Sequence, residues 1–183
     1  SILDAEAFSE LNGWNEDVNH DVRSGKIDFG IRSITLNINQ ICNLKCAYCA
    51  AGGDGTYGEP LNQISVEKTL PQLKYFLSSE KPGLTFAISF VGGEPLLHPK
   101  AIKAIYDFVT HESDLLGIIP KMRIVTNGTL FSGETLDILR SMKIDLTISF
   151  DGVKEKNDLV RPSKDGKSTT DKILKGLTEL KHD

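Results

Sequence analysis

Strand-like and helix-like segments alternate along this chain, and this alternation restricts its fold more than any other feature. Four segments have the apolar and β-branched pattern of strands: 33–39, 84–91, 121–127 and 145–151. Each is followed by a segment whose apolar residues recur at helical spacing. Repeated β-α units require parallel strands joined by right-handed crossovers. The order predicts an α/β fold of about four units, either an open doubly wound sheet or part of a (β/α) barrel.

Apolar spacing and terminal signals predict one helix after each strand. Pro99 suits the first turn of the second helix, and Ser168 with Asp171 has the spacing of a capping box at the last. Pro71 either kinks the first helix or marks its true start. The apolar residues assigned to the buried faces are Val66, Leu70, Leu73 and Leu77; Ile102, Ile105 and Val109; Leu136, Leu139 and Met142; and Ile173, Leu174, Leu177 and Leu180.

Composition is typical of a globular domain and argues against two other classes of protein. The 183 residues are 39% hydrophobic and 25% charged, and no apolar run is long enough to span a membrane. The net charge of −4 disfavours a nucleic-acid partner, because phosphate binding requires a basic surface. The acidic N-terminus lacks the basic start and apolar core of a signal peptide. A cytoplasmic protein with one main domain is expected.

Polar residues gather where the predicted strands end. They are Asn37 and Asn39 after the first strand, Gly92, Gly93 and Glu94 after the second, Thr126 and Asn127 after the third, and Ser149 and Asp151 after the fourth. In parallel α/β proteins, ligands bind at the carboxyl ends of the strands. Four polar strand ends at one edge of the sheet therefore predict a single binding site.

All three cysteines of the chain fall in the sequence CNLKCAYC, directly after the first strand. Cys42, Cys46 and Cys49 do not have the number or spacing of a disulfide framework, which favours a reducing compartment. A zinc site would need a fourth ligand, for which His98 or Asp54 is available. A redox Cys-x-x-Cys pair would leave Cys42 without a role. A [4Fe–4S] cluster usually takes four cysteines, so three would leave one iron open to an outside ligand.

CNLKCAYC resembles the CxxxCxxC signature of the radical SAM enzymes, with Tyr48 as the aromatic residue beside the last cysteine. Arg161 is similar to the arginine that binds the methionine carboxylate in that family. Further segments that resemble family motifs are VGGEPLL (91–97), TNGTL (126–130) and SFDG (149–152). The resemblance covers residues 31–165 and implies a partial (β/α) barrel of parallel strands with outer helices.

The resemblance implies that the three cysteines hold a [4Fe–4S] cluster whose open iron binds S-adenosylmethionine. An electron from a donor such as a flavodoxin or a ferredoxin would then split the cofactor and give a 5′-deoxyadenosyl radical. Glu94 would contact the methionine ammonium, and Gly92 and Gly93 would let backbone lie close to the ligand. The residues implied in cofactor binding are Tyr48, Gly92, Gly93, Glu94, Thr126, Asn127, Ser149, Asp151 and Arg161.

The stretch AGGDGTYGEP (51–60) resembles the SPASM/twitch branch of this family, whose members carry auxiliary clusters in a C-terminal extension. This branch includes enzymes that crosslink ribosomal precursor peptides through thioethers. The chain departs from the branch by Ala50 and by the absence of any cysteine after Cys49. The implied function is modification of a peptide or protein substrate. The alternatives are an anaerobic sulfatase maturase and a non-catalytic, metal-stabilised α/β binding module.

The resemblance also implies a division of the chain into two parts. Residues 31–183 would form a radical SAM catalytic core that is incomplete, without its last β/α units and without the auxiliary-cluster extension. Residues 1–30 would form a lead segment, which is either a helix or a remnant of an upstream region.

Overall fold

The four predicted strands lie in one sheet and are all parallel. The computed structural model describes residues 31–49 and 62–181. Neighbouring strands pair in the sequential order β1-β2-β3-β4. The strands are β1 Ser33–Asn37, β2 Thr85–Val91, β3 Ile119–Thr126 and β4 Asp145–Ile148. The α/β fold predicted from the sequence is confirmed.

The sequential strand order decides between the two arrangements that the sequence left open. In a doubly wound sheet the strand order reverses at a switch point and helices cover both faces. Here each new strand adds to the same edge of the sheet. Right-handed crossovers then place the connecting helices on one face. The four units therefore form part of the wall of a (β/α) barrel.

Five α-helices lie within the described residues, and a 3₁₀ turn follows β2. They are α1 Val66–Ser78, α2 Pro99–Leu116, α3 Gly133–Arg140, α4 Lys154–Val160 and α5 Thr169–Leu180, and the 3₁₀ turn is Pro95–Leu97. Helix α4 and the 3₁₀ turn are missing from the sequence-based prediction. The reason for α4 is its sequence, KEKNDLV, which is mostly charged and too short to show a helical period.

The hydrophobic core lies between the helices and one face of the sheet. Burying one large apolar side chain stabilises the fold by about 1.5–3 kcal/mol. The core side chains from β2, β3, α1 and α2 include Phe86, Ile88, Phe90, Met122, Ile124, Leu73, Leu77, Ile102, Ile105 and Val109. The opposite face of the sheet presents exposed polar residues such as Thr35, Lys121 and Arg123. Because packing anchors each strand through its apolar face, the carboxyl ends of the strands are held along one edge.

Capping by serine explains where two helices begin. The Oγ atom of Ser65 accepts a hydrogen bond from Lys68 N at 3.4 Å, and α1 then continues through Pro71. The interpretation of Pro71 as the start of this helix is wrong. At α5, the Oγ atom of Ser168 accepts from Asp171 N at 3.1 Å, which confirms the predicted cap. Leu174 of α5 is 54% exposed and does not join the buried face assigned to it.

Two segments interpreted from the sequence lie outside the described residues. They are the lead segment 1–30 and the stretch 50–61, which contains Ala50, Asp54 and the AGGDGTYGEP sequence. Among the helices that are described, none has the length and apolar character needed to cross a membrane.

Candidate functional site

The cysteine loop, residues 42–49, follows β1 at the carboxyl edge of the sheet. Cys42, Cys46 and Cys49 are free thiols, of which the first two are partly buried and the third is exposed. The backbone N of Cys49 donates to the carbonyl of Cys46 at 3.2 Å, so the last two cysteines share a tight turn. The whole sulfur content of the chain therefore lies at the edge predicted to bind a ligand.

The two partly buried thiols have raised pKa values. Burial raises the pKa of Cys42, while hydrogen bonds from Leu44 N and Asn127 oppose this effect. Burial likewise raises the pKa of Cys46, against the nearby guanidinium of Arg161. Cysteine binds metals as the thiolate, so binding a metal group here must release protons from these thiols.

The donor set of the loop suits a multi-iron cluster better than a single ion. Within residues 31–49 and 62–181, no three His, Cys, Asp or Glu side chains are grouped so as to hold one metal ion. Structural zinc requires four ligands at about 2.0–2.3 Å. Of the two candidates for a fourth ligand, His98 is the N-cap residue of α2, and Asp54 lies outside the described residues. A cluster binds each thiolate through a different iron and therefore permits wider spacing of the sulfurs.

Backbone hydrogen bonds join the cysteine loop to residues 160–164, which are the last residue of helix α4 and the segment after it. Leu44 and Ser163 form an antiparallel bridge at the centre of this contact. Lys45 N donates to Pro162 O at 2.8 Å, Ala47 N donates to Val160 O at 3.0 Å, and Lys164 N donates to Asn43 O at 3.1 Å. This contact brings Arg161 to the cysteine loop although 115 positions separate it from Cys46 in the sequence.

Gly92 and Gly93 allow the backbone before and within the cysteine loop to approach the end of β2. Gly92 has a φ angle of +155°, and a Cβ atom there would lie 2.7 Å from the carbonyl oxygen of Asn39. At Gly93 a Cβ atom would lie 2.1 Å from the carbonyl oxygen of Ile41. Gly93 N donates to Asn39 O at 3.0 Å, and Glu94 N donates to Ile41 O at 2.8 Å. The two glycines thus make room for the protein's own backbone, and their predicted close approach to a ligand stays a prediction.

The carboxylate of Glu94 is buried and ties the end of β2 to the end of β3. The residue is only 1% exposed. Its Oε1 accepts from Leu96 N at 3.0 Å and from Thr126 Oγ1 at 2.7 Å, and its Oε2 accepts from Asn127 N at 2.7 Å. Burial raises the pKa of Glu94, and these hydrogen bonds lower it in part. Because a carboxylate has about four lone-pair sites, Oε2 retains one for a further donor.

Asn127 links the end of β3 to the cysteine loop. Its Nδ2 atom donates to Asn43 Oδ1 at 2.8 Å and to Cys42 Sγ at 3.6 Å. Its Oδ1 atom accepts from Thr129 N at 3.0 Å and from Thr129 Oγ1 at 2.7 Å. Asn43 Nδ2 completes the network by donating to Thr129 Oγ1 at 2.8 Å. Neither Asn43 nor Thr129 is among the site residues predicted from the sequence.

A second polar group lies where the end of β4 meets the cysteine loop. Arg161 Nε donates to Asp151 Oδ2 at 2.5 Å, and the Tyr48 hydroxyl donates to the same oxygen. The Arg161 Cζ atom lies 5.3 Å from the centre of the Tyr48 ring, and its Nη1 lies 4.0 Å from Cys46 Sγ. The hydrogen bond from Tyr48, supported by Arg161, lowers the pKa of Asp151. Arg161, predicted to bind a ligand carboxylate, has an internal carboxylate as its partner.

The sequence profile of the radical SAM superfamily matches residues 36–182. The chain belongs to the radical SAM superfamily. The match includes the cysteine loop, Glu94, Asn127 and Arg161. Membership confirms the family predicted from CNLKCAYC and implies S-adenosylmethionine and an iron–sulfur cluster as cofactors. The three thiols on one loop, without a fourth cysteine in the chain, fit such a cluster.

Curated relatives of this radical SAM chain include enzymes of peptide and sulfatase maturation. An uncharacterised protein of Methanocaldococcus jannaschii is 31% identical over 152 residues, covering 83% of this chain and 49% of that protein. The antilisterial bacteriocin subtilosin biosynthesis protein AlbA of Bacillus subtilis is 31% identical over 148 residues, covering 79% and 30%. A serine-type anaerobic sulfatase-maturating enzyme of Klebsiella aerogenes is 29% identical over 147 residues, covering 78% and 35%. The chain thus spans less than half the length of these relatives, and the predicted resemblance to maturases is confirmed.

Solved structures of one protein, anSMEcpe, have a similar fold. Native anSMEcpe with bound AdoMet matches with a TM-score of 0.66 at 24% identity, covering 81% of this chain and 40% of that chain. The same protein with bound AdoMet and the Cp18Cys peptide matches with a TM-score of 0.63. At this identity the likeness shows the fold, and it agrees with the partial barrel described above.

The candidate site also borders two polar residues of α4 that the sequence interpretation missed. Asn157 is fully buried, and its Oδ1 accepts from Asp151 N at 3.1 Å while its Nδ2 donates to Thr169 and Thr170. Asp158 accepts from Thr170 N at 2.8 Å. Burial raises the pKa of Asp158, but hydrogen bonds led by that from Ser168 outweigh this and lower it overall. Nothing in KEKNDLV distinguishes these two residues from the surrounding polar ones.

The structure therefore divides the predicted site residues into two connected groups. In the first, Ser149 N donates to Thr126 O at 2.9 Å, which extends the pairing of β3 and β4 to the network of Glu94 and Asn127. In the second, Tyr48, Asp151 and Arg161 meet at Cys46. Asn37, also a polar strand-end residue, lies exposed at the end of β1. The cysteine loop is the element that both groups contact.

Proposed function

We propose that this chain is part of the catalytic core of a radical SAM enzyme that modifies a ribosomal precursor peptide. Cys42, Cys46 and Cys49 hold a [4Fe–4S] cluster and leave one iron open for S-adenosylmethionine. In this family the reduced cluster and S-adenosylmethionine together supply a 5′-deoxyadenosyl radical that removes a hydrogen atom from the substrate. The observation that supports this function best is that the chain's three cysteines lie on one loop in contact with both Asn127 and Arg161.

Glu94 and Arg161 bind the two charged groups of the methionine moiety in this proposal. The free lone pair of Glu94 Oε2 accepts from the ammonium, in addition to the bond from Asn127 N. The side chains of Arg161 and Asp151 are 15% and 32% exposed, so a ligand carboxylate can replace Asp151 as the partner of the guanidinium. The remaining predicted contacts border these two: Tyr48, Gly92, Gly93, Thr126, Ser149 and Asp151.

A polypeptide substrate is favoured by two of the comparisons. AlbA takes part in the biosynthesis of subtilosin, a bacteriocin, and anSMEcpe has been solved with a bound peptide. We infer formation of a thioether or another crosslink in the peptide, in a cytoplasmic enzyme that receives electrons from a flavodoxin or a ferredoxin. Sulfatase maturation is the second candidate, because the Klebsiella aerogenes enzyme is 29% identical over most of this chain. Residues 31–183 form the core, and residues 1–30 form a lead segment outside it.

Anaerobic reconstitution with iron and sulfide tests the cofactor assignment. We expect about four irons per cluster-binding loop, and addition of S-adenosylmethionine should change the EPR spectrum of the reduced cluster. Changing Cys42, Cys46 or Cys49 to Ala should abolish reductive cleavage of the cofactor, because each removes one of the three iron ligands. Ser33→Ala, at the opposite end of β1, is the matched control and should load iron and cleave the cofactor as the unmodified chain does.

Two results would contradict the proposed function. One is uptake of stoichiometric zinc without iron, which would return the loop to a structural metal site. The other is cofactor cleavage that survives removal of any one cysteine. Mass spectrometry of candidate precursor peptides and of a sulfatase peptide, each co-expressed with the enzyme, then decides between the two substrate classes.

A further inference from the structure

Cys42 differs from the other two cysteines in the hydrogen bonds that its sulfur accepts. Two N–H groups point to it, Leu44 N at 3.4 Å and Asn127 Nδ2 at 3.6 Å. The sulfur of Cys46 has Arg161 Nη1 at 4.0 Å, the outer limit for such a contact. Within the described residues, no donor reaches the sulfur of Cys49. The sulfur environment of the loop is therefore asymmetric, and Asn127 is the side chain that makes it so.

The surrounding network fixes which atom of the Asn127 amide faces Cys42. A backbone N–H can only donate, so the amide atom that receives the bond from Thr129 N at 3.0 Å must be the oxygen. The other amide atom is then the NH₂ group, which has two hydrogens. One hydrogen bonds to Asn43 Oδ1 at 2.8 Å, and the second is available to Cys42 Sγ. The orientation does not depend on the sulfur contact itself.

The position of the Asn127 backbone is fixed as well. Its N–H donates to the buried carboxylate of Glu94 at 2.7 Å, and Thr126, its neighbour, donates to the same carboxylate at 2.7 Å. Asn127 is itself only 7% exposed. A polar side chain held at both its backbone and its amide group is suited to fix the direction of one N–H bond.

We propose that Asn127 is a positioning residue that sets the reduction potential of the iron–sulfur centre through its N–H···S bond to Cys42. This inference rests on the proposed function, because it requires that the cysteines hold a cluster. Hydrogen bonds to ligating sulfurs are among the features that set the potential of such clusters. The N–H dipole stabilises negative charge on the sulfur, and the reduced cluster is more negative than the oxidised one. The bond therefore makes the cluster easier to reduce.

The test is an EPR-monitored redox titration of the reconstituted protein and of Asn127→Ala. We expect the ratio of reduced to oxidised cluster at a fixed solution potential to fall about tenfold in the variant, which is about 59 mV for a one-electron couple. The matched control is Thr129→Ala, which removes the hydroxyl but keeps the Thr129 N–H bond to Asn127 and the amide contact with Cys42. This control should change the ratio by less than about twofold, a shift of less than about 18 mV by the same constant.

The outcomes separate this inference from the function on which it rests. An unmodified chain that takes up no iron would overturn both. An iron-loaded Asn127→Ala with an unchanged midpoint, or one matched by Thr129→Ala, would overturn the role of Asn127 and leave the proposed function intact. If Asn127→Ala fails to load, Asn127→Leu replaces it, because Leu has nearly the same shape without the N–H donors and without a charge. A midpoint for Asn127→Leu equal to or above that of the unmodified protein would also overturn the role.

Discussion

The two polar groups at the carboxyl edge of the sheet are built in different ways. At the ends of β2 and β3, Glu94 and Thr126 are 1% and 2% exposed and bond to backbone and side-chain donors of their own chain. At the end of β4, Asp151 and Arg161 form an ion pair that is partly open to solvent, and Tyr48 beside it is 55% exposed. The first group makes mainly internal bonds, with one lone pair of Glu94 Oε2 left for a further donor. The second is held by charges that an external ligand can replace.

This difference assigns separate roles to residues that the sequence presents as equivalent polar strand ends. Breaking a hydrogen bond between buried groups lowers the stability of the fold by about 1–3 kcal/mol, because one partner is left unsatisfied. Such bonds fix backbone and the cysteine loop. Exposed ion pairs contribute about 0–1 kcal/mol and can be exchanged. The end of β3 therefore supports the cysteine loop through buried bonds, and the end of β4 has an ion pair that is partly exposed.

The largest expected effect tests the close contact between Gly93 and the cysteine loop. Gly93→Ala should cost about 3 kcal/mol or more of unfolding free energy, because the new Cβ would lie 2.1 Å from a backbone oxygen that cannot move alone. Urea denaturation of the metal-free protein measures the loss, and iron uptake should fall with it. The control is Gly133→Ala, which has a φ angle of +51° but nothing within 4 Å. It should cost about 1–2 kcal/mol from backbone strain alone. Equal costs in the two variants would contradict the packing explanation.

An intermediate effect tests the internal bonds of Glu94. Glu94→Gln keeps the shape but places an NH₂ group opposite either Asn127 N–H or the donors to Oε1, and two donors cannot bond to each other. We expect a loss of about 2 kcal/mol in unfolding free energy and reduced iron retention, measured by urea denaturation and iron analysis. Glu134→Gln, in an exposed pair with Lys100, is the control and should change stability by less than about 1 kcal/mol. A stability loss no greater than that of the control would show that these bonds do not stabilise the site.

The smallest effect is expected at the end of β4. Asp151→Asn removes the charge that pairs with Arg161 but keeps an acceptor oxygen for Tyr48 and Arg161. Because this pair is partly exposed, unfolding free energy should fall by less than about 1 kcal/mol, and iron content should be unchanged. The measurement is the same urea titration used for Glu94→Gln. A loss as large as that of Glu94→Gln would remove the distinction between the two groups.

The sequence was sufficient for the α/β fold class because hydrophobic periodicity is a local property, whereas the strand order that separates a barrel from a doubly wound sheet depends on long-range pairing. The strand patterns at 84–91 and 121–127 correspond to β2 and β3 within two residues at each end. Helix α4 is missing from the prediction because its seven residues, KEKNDLV, are mostly charged and show no repeat of apolar residues at helical spacing. Pro71 was ambiguous because a proline in the second turn of a helix costs stability but is tolerated where packing holds the rest.

The candidate site was predictable in part, for a related physical reason. Spacing within CNLKCAYC and the run of polar strand ends are visible in one dimension. Contacts between distant segments are not visible in the sequence. Asn43 and Asn157 are recognised as site residues only by their hydrogen bonds to Asn127 and Asp151 in the folded chain. The same holds for Gly93: a side chain is excluded there by the backbone of Ile41, which only the three-dimensional structure brings close.

The backbone bonds between the cysteine loop and residues 160–164 have a thermodynamic consequence. Through Lys45, Ala47 and Lys164, each segment limits the motion of the other. Whatever immobilises the loop reduces the entropy that remains to be lost when Arg161 becomes ordered around an anion. Coupling of this kind is reciprocal, so an anion on Arg161 would raise the affinity of the cysteines for a metal group by the same factor. Binding of a metal group at the cysteines and binding of an anion at Arg161 would then be thermodynamically linked, although more than a hundred positions of sequence separate Cys46 from Arg161.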